Sequence, residues 1–195
     1  MKQQPERPPR PRRRATALAV AATALLATTG CAGGLQVGPG GATAGGTGTT
    51  AADGHIADGQ SISPFDADHP AIANLDVALR VAIQRAATDA RADGVTMVIN
   101  SGWRSRRYQQ ELLDRAITTY GSEAEARNWV SPPDRSAHVT GKAIDVGPTD
   151  ADSWLSQHGA DYGLCQTYAN EMWHYQLSVR PGGTCPQQIS DASAG

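Results

Sequence analysis

The chain has 195 residues, with 17 Lys or Arg and 19 Asp or Glu, and its formal net charge is −2 at pH 7. Six of the basic residues lie in the first 30 positions, so the remainder has 11 basic and 18 acidic residues and a net charge of about −7. No basic stripe interleaved with aromatic residues remains after position 30, and nucleic acid is therefore excluded as an expected partner.

The first 30 residues have the pattern of an export signal. A Pro- and Arg-rich start precedes an apolar, Ala-rich run over 15–27, and small residues follow. The run is shorter than the ~20 residues that span a bilayer, which favours a signal over an uncleaved membrane anchor. Cys31 follows as in a bacterial lipobox, although Thr28 stands where Leu is usual. The sequence predicts an exported lipoprotein, anchored to the cell membrane through lipidated Cys31 and facing the cell wall, or a secreted protein.

Composition divides the rest of the chain into three parts. Residues 31–60 are rich in Gly, Ala and Thr, which is typical of a flexible tether. One folded domain is predicted over 61–189 and a disordered tail over 190–195. Cys165 and Cys185 lie in the domain, and export permits a disulfide between them. Two free thiols, or a cysteine that binds a metal, are the alternatives.

The first half of the predicted domain has the pattern of helices around one strand. Apolar residues recur at three- and four-residue spacing and predict an amphipathic helix over 70–92. The β-branched run over 95–100 predicts a buried strand. Ser105 and Ser122 are predicted to cap two further helices at their N-termini.

The second half is predicted to contain shorter elements. Strands are predicted over 143–146 and 173–177, with a helix over 150–157 between them. Helices followed by short strands predict an α+β fold. We expect a single small domain in which helices pack on a short antiparallel sheet.

Two short segments supply a set of groups suited to metal chemistry. His138 and Asp145 are seven residues apart, a spacing that suits the two ends of a small hairpin, and Glu171 precedes His174 by three. Imidazole nitrogen and carboxylate oxygen are ligands that zinc prefers, and three ligands leave a fourth position for water. The predicted zinc ligands are His138, Asp145 and His174. Glu171 is the predicted general base, which takes a proton from the water and passes it to the leaving amine.

Three short sequence motifs of this chain resemble those of a known family. The first two read Ser136-x-His138-x-x-Gly141-x-Ala143-x-Asp145 and Glu171-x-Trp173-His174, and the third reads Ser101-Gly102-Trp103-Arg104-Ser105 followed by Tyr108-Gln109. Together they resemble the VanY-like D-alanyl-D-alanine carboxypeptidase family of zinc peptidases, over roughly residues 70–177.

The resemblance implies roles for further residues. Arg104 is expected to meet the substrate carboxylate or the developing oxyanion, and Ser136 is expected to line the site and contact the substrate. Trp103, Gln109 and Trp173 are also expected to contact the substrate. Trp103 stands where the family usually has Tyr, which bears on the shape of the pocket wall.

The resemblance also implies a reaction, a cofactor and a location. The expected reaction is zinc-dependent removal of a terminal D-alanine from a peptidoglycan stem peptide, with Zn²⁺ as the cofactor. The chain is expected to act as a monomer held at the membrane by its lipidated N-terminus. An endopeptidase or an L,D-carboxypeptidase of the same chemistry is one alternative. A non-catalytic, zinc-containing lipoprotein that binds the cell wall is another, although a structural zinc site needs no base and is usually a closed shell of four ligands.

Overall fold

A computed structural model describes residues 48–194 of the chain. The predicted export signal, Cys31 and most of the predicted tether lie outside the described residues. The helices are α1 Pro70–Ala73, α2 Val77–Ala92, α3 Arg106–Tyr120, α4 Glu123–Arg127 and α5 Thr149–His158, with short 3-10 helices at Ala51–Asp53 and Gly159–Tyr162. The strands are β1 Val98–Ser101, β2 Ala143–Gly147, β3 Leu164–Gln166 and β4 His174–Leu177. Between residues 48 and 194, no helix combines the length and apolar character needed to cross a membrane.

The four strands form one antiparallel sheet in the order β1-β2-β4-β3. Every residue of β2 is buried, and the strand lies between β1 and β4. The register places Asp145 opposite His174 on β4 and opposite Ser101 on β1, where the β1–β2 pairing shifts by one residue. The predicted α+β fold, with helices on a short antiparallel sheet, is confirmed, and its central strand carries Asp145.

One hydrophobic core joins the helices to the sheet. Its fully buried members come from α1, α2, α5 and all four strands, and include Ile72, Leu79, Ile83, Ile99, Ile144, Val146, Leu155, Leu164 and Tyr175. The apolar periodicity of α2 therefore has the predicted cause, since Leu79, Ile83 and Ala86 face this core. A smaller cluster of Leu113, Ala116 and Ala126 holds α4 against α3.

The helix predicted over 70–92 is two helices, because Asp76 interrupts it. The Asp76 carboxylate accepts hydrogen bonds from the backbone N–H groups of Ala78 and Leu79, at 2.9 and 3.3 Å, and so caps α2. The Asp76 backbone N–H donates to the carbonyl of Gly141 at 2.9 Å. Gly141 has a φ of +70°, and a Cβ there would lie 2.5 Å from the carbonyl oxygen of Asn74. The break between α1 and α2 thus receives the segment that carries His138.

The caps predicted for the next two helices are confirmed. The Ser105 hydroxyl accepts from the backbone N–H of Tyr108 at 3.1 Å, and the Ser122 hydroxyl accepts from that of Glu125 at 3.2 Å. β3 was not predicted, because a three-residue strand is too short to show a period.

Both predicted boundaries of the folded domain were wrong. At the N-terminal side, Ala51–Asp53 is helical and Ile56 is buried in the core, so order begins before residue 61. The Asp53 carboxylate accepts from the Ser105 hydroxyl at 2.8 Å and pairs with Arg107, so polar contacts order a segment of low hydrophobicity. At the other side, Ala192 is buried and bonded to the domain through residues 128 and 131.

The predicted disulfide joins Cys165 on β3 to Cys185, with a Cα–Cα distance of 5.6 Å. The loop that it closes contains β4 and the segment from Glu171 to His174. The free thiols and the cysteine metal ligand left open by the sequence are therefore both excluded for this pair.

Loss of this bridge is expected to destabilise the fold. In the double variant Cys165→Ala/Cys185→Ala, the free energy of unfolding should fall by about 3 kcal/mol, because the unfolded chain regains the freedom of a loop of about 20 residues. Guanidinium denaturation monitored by circular dichroism measures the change. Reduction of the wild-type protein should give a similar shift, and a wild-type midpoint insensitive to reductant would contradict the expectation.

Candidate active site

His138, Asp145 and His174 meet at a buried point beside the central strand. The Nε2 atom of His138 lies 3.2 Å from Nδ1 of His174, and each nitrogen lies 3.3 Å from Oδ1 of Asp145. We call these three atoms the ligand triangle. The β2–β4 register positions Asp145 and His174. The hairpin suggested for His138 was wrong, because this residue lies in a series of turns over 137–141 that precedes β2.

The ligand triangle fits a metal ion. Zinc bonds of about 2.0–2.1 Å in a tetrahedral shell place neighbouring ligand atoms about 3.3–3.4 Å apart, close to the separations of 3.2–3.3 Å here. Asp145 Oδ1 is buried and has no hydrogen-bond partner among the described residues. A buried carboxylate oxygen without a partner is uncommon unless an ion completes its environment.

The imidazole rings are held with the required nitrogen towards the triangle. His138 Nδ1 lies 2.8 Å from the carbonyl oxygen of Gly102, to which it can only donate, so Nε2 keeps its lone pair. His174 Nε2 lies 3.1 Å from the side-chain amide nitrogen of Gln176, and Nδ1 of the same ring faces the triangle. The carbonyl of Gly102 and the amide of Gln176 are supports that the sequence blocks did not reveal.

The charge states also suit metal binding. Burial and the neighbouring charge of Arg104 lower the pKa of His138 to about 4, so this ring is neutral at physiological pH. Burial alone raises the pKa of Asp145, but His138 and Arg104 oppose it and hold the pKa well below its usual range. Metal binding requires a neutral imidazole and an ionised carboxylate, and both are present.

Arg104 is fixed in place by three side-chain hydrogen bonds. Its Nη2 donates to Oδ2 of Asp145 at 2.7 Å, its Nη1 to Oε1 of Gln109 at 3.1 Å, and its Nε to the Ser101 hydroxyl at 2.8 Å. Gln109 is only 1% exposed, and its amide nitrogen donates to the carbonyl of Ser131 at 2.8 Å. The contacts of Gln109 are therefore with the protein, and they orient Arg104 at the edge of the ligand triangle.

Glu171 lies next to the triangle without belonging to it. Its Oε2 is 3.6 Å from Nδ1 of His174, and the side chain is buried. Burial raises the pKa of Glu171 to about 7, and the negative charge of Asp145 adds to the effect while Arg104 opposes it. The backbone N–H of His174 donates to the carbonyl of Glu171 at 3.3 Å, so a tight turn brings both side chains to one side. A buried carboxyl with this pKa can accept and return a proton near neutral pH.

These groups open into one cleft with a volume of 390 Å³. Of the predicted substrate contacts, Arg104, Gln109, Ser136 and Trp173 line the cleft. Trp103 is not among the lining residues, because its side chain packs against the hydrophobic core. Trp103 thus stabilises the fold, whereas the next residue of the same motif, Arg104, lines the cleft.

The sequence did not reveal several residues that line the cleft. The ring of Tyr168 is buried, with its centroid 4.7 Å from that of His174. Tyr120 and Trp129 stack on each other on the cleft wall and are 45% and 42% exposed, and Ala192 lies nearby on the same wall. Tyr168 precedes Glu171 by three residues, which was the one available hint. Nothing in the sequence brings Tyr120, Trp129 and Ala192 together.

Comparison with known proteins matches this chain to one family. The family model described as VanY: D-alanyl-D-alanine carboxypeptidase matches residues 73–185. A D-alanyl-D-alanine carboxypeptidase of Enterococcus faecalis is 29% identical over 52% of this chain and 47% of its own length. The chain thus spans about half the length of that relative.

Solved structures agree with the assignment. A mutant of a vancomycin-resistance D,D-pentapeptidase VanY from a VanB-type resistance cassette, in complex with Zn(II), is 28% identical with a TM-score of 0.50, over 52% of this chain and 71% of the other. VanYB in complex with D-alanine-D-alanine has the same identity and TM-score, over 52% and 70%. A vancomycin-resistance D,D-dipeptidase VanXYg, in complex with a D-Ala-D-Ala phosphinate analogue, is 25% identical with a TM-score of 0.50, over 60% and 55%. Because the family model covers more than half of the chain and includes the ligand triangle and Glu171, the chain belongs to the VanY D-alanyl-D-alanine carboxypeptidase family.

Proposed function

We propose that this chain is a zinc-dependent carboxypeptidase that removes a terminal D-alanine from peptidoglycan stem peptides. The observation that carries the proposal is the position of buried Glu171, 3.6 Å from one atom of a ligand triangle whose sides are 3.2–3.3 Å. A site that only stabilised the fold would need no such base, and it would usually have a fourth protein ligand. The relatives that contain Zn(II) and D-alanine-D-alanine support the choice of metal and substrate class.

The chain's own residues divide the catalytic work. Zinc held by His138, Asp145 and His174 would polarise the scissile carbonyl and lower the pKa of a water molecule. Glu171 accepts a proton from the attacking water and donates it to the leaving amine, a role for which its pKa of about 7 is suited.

Arg104 is proposed to bind the substrate's terminal carboxylate. A guanidinium has five N–H donors, and the bonds to Asp145, Gln109 and Ser101 occupy three of them. Because these bonds fix the plane of the guanidinium, little side-chain entropy is lost when a carboxylate binds to the remaining donors. The hydroxyl of Ser136 lines the same cleft and is proposed to contact the substrate.

The proposed substrate lies outside the cytoplasm, and the predicted export signal would carry the chain to it. The Cys165–Cys185 disulfide is consistent with an oxidising compartment. Lipidation of Cys31, which would hold the domain at the membrane beside the wall, is part of this proposal.

The first test is release of D-alanine by the purified protein. We expect release from a stem pentapeptide that ends in D-Ala-D-Ala, with loss of activity in chelator and recovery when zinc is added. A tetrapeptide that ends in a single D-Ala is the matched substrate, and preference for it would replace the D,D assignment by an L,D one. Cleavage of crosslinked muropeptides with no release from either peptide would indicate an endopeptidase.

The second test separates the base from the metal ligands. Glu171→Gln should lower kcat by on the order of 100- to 10,000-fold, because the amide cannot accept the proton, while size and zinc content are preserved. Steady-state kinetics and metal analysis of the same preparation provide the measurement. Glu123→Gln, on the exposed face of α4, is the control and should keep normal turnover. Near-normal turnover in Glu171→Gln would disprove the assigned role.

The third test concerns the metal itself. The wild-type protein should bind one Zn²⁺ per chain, and Asp145→Ala and His174→Ala should each weaken binding by at least about 100-fold, the upper end of what losing a supporting residue costs. Isothermal titration at constant pH measures the affinity. His158→Ala is the control, because this histidine packs against Trp154 on α5 and is not part of the triangle. Unchanged affinity in either ligand variant would exclude the site.

A further inference from the structure

The segment that follows the disulfide is built into the domain. Residues 187–194, which we call the strap, lie beyond the family match, which ends at residue 185. Ile189 forms a β-bridge with Tyr168, and the backbone bonds on either side of this bridge are 2.8 and 3.1 Å long. The strap is therefore attached to the strand-like segment that leads to Glu171.

A second attachment joins the strap to the loop over 128–131. The backbone N–H of Ala192 donates to the carbonyl of Asn128 at 3.3 Å, and the Ser131 hydroxyl donates to the carbonyl of Ala192 at 3.2 Å. The Asn170 side-chain amide donates to the same Asn128 carbonyl at 3.0 Å. Both ends of the loop are thus fixed, and Trp129 lies between them.

Trp129 and Tyr120 form what we call the aromatic wall of the cleft. Their rings are nearly parallel, 11° apart, with centroids 6.1 Å from each other. Trp129 is 42% exposed and Tyr120 is 45% exposed, although both line the same cleft as the ligand triangle. Ala192, only 5% exposed, lies on this part of the cleft. Exposed aromatic faces beside a catalytic centre offer apolar contact area to a ligand.

The loop over 128–131 also connects the aromatic wall to Arg104. The carbonyl of Ser131 accepts from the amide nitrogen of Gln109 at 2.8 Å, and the amide oxygen of Gln109 accepts from Arg104 at 3.1 Å. The wall is therefore held in a defined position relative to the residue proposed to bind the substrate carboxylate.

We propose that the strap and the aromatic wall form a subsite for the residues of the substrate peptide that precede its terminal D-Ala-D-Ala. Aliphatic parts of those residues pack on the faces of Tyr120 and Trp129, and the strap holds the loop that carries Trp129. This inference rests on the proposed function. It makes the strap an element that favours longer substrate peptides over short ones.

The experiment compares two substrates on the full chain and on a chain that stops after Pro186, which retains both cysteines of the disulfide. For the stem pentapeptide, KM should rise in the shortened chain by a few-fold to about tenfold, the range expected when an aromatic contact is lost. For N-acetyl-D-Ala-D-Ala, which lacks the preceding residues of the stem peptide, kcat/KM should change by less than about twofold. Amide hydrogen exchange over 128–131 should become faster.

Point variants separate the strap from the wall. Trp129→Ala should raise KM for the pentapeptide alone. Ala192→Phe should raise the same KM by displacing the strap, because Ala192 is buried and bonded to residues 128 and 131, and hydrogen exchange over 128–131 should become faster. Ala194→Phe, at an exposed position of the same strap, is the matched control and should behave as the wild type.

Three outcomes overturn the inference. An unchanged KM for the pentapeptide in the shortened chain and in Trp129→Ala would show that the wall binds no substrate. Equal losses for both substrates would make the strap a support for the catalytic groups. Unchanged hydrogen exchange over 128–131 in the shortened chain would show that the strap does not hold the loop, and this readout does not depend on activity. Failure of the wild-type protein to cleave either substrate would instead count against the proposed function.

Discussion

The buried carboxylate of Asp145 constrains the rest of the site. A charge at the centre of a sheet, on a strand with no exposed residue, costs several kcal/mol unless partners surround it. Here Oδ2 accepts from Arg104 at 2.7 Å, while Oδ1 faces two imidazole nitrogens at 3.3 Å. One oxygen is therefore paired with Arg104, and the other faces the two imidazoles, where a cation fits. Each neighbouring group is positioned with respect to this carboxylate.

The same constraint explains why the surrounding elements are joined as they are. The β2–β4 register brings His174 opposite Asp145, and the shift in the β1–β2 pairing brings Ser101 to the other side, where its hydroxyl orients Arg104. His138 lies on no strand, so it needs a separate anchor. The turn that carries it is bonded to Asp76 through Gly141, and the absence of a Cβ on Gly141 permits the close approach to Asn74. The break between α1 and α2 thus anchors the turn that carries His138.

Groups with metal and acid–base chemistry could be predicted from the sequence, because their residue types and spacing restrict what they can do. His138, Asp145, Glu171 and His174 come together as predicted, since two short segments supply all four. Strand β2 was predicted for a similar reason, because the apolar residues that indicate it are close together in the sequence. The partners of these residues could not be predicted. Gln109 reaches Arg104 and Ser131 across gaps of 5 and 22 residues, and no periodic pattern records such contacts.

The errors at the domain boundaries have a related physical cause. Composition indicates order where apolar residues are dense, but polar contacts hold the segment around Asp53, and backbone hydrogen bonds hold the strap. Ala192 is buried because residues 128 and 131 form hydrogen bonds with its backbone. Any residue small enough for that position would allow the same hydrogen bonds. The site's ligands are thus fixed by side-chain identity, whereas the cleft wall depends on backbone contacts from a segment outside the family match. Relatives could therefore keep the same metal chemistry while differing in the peptides that their clefts admit.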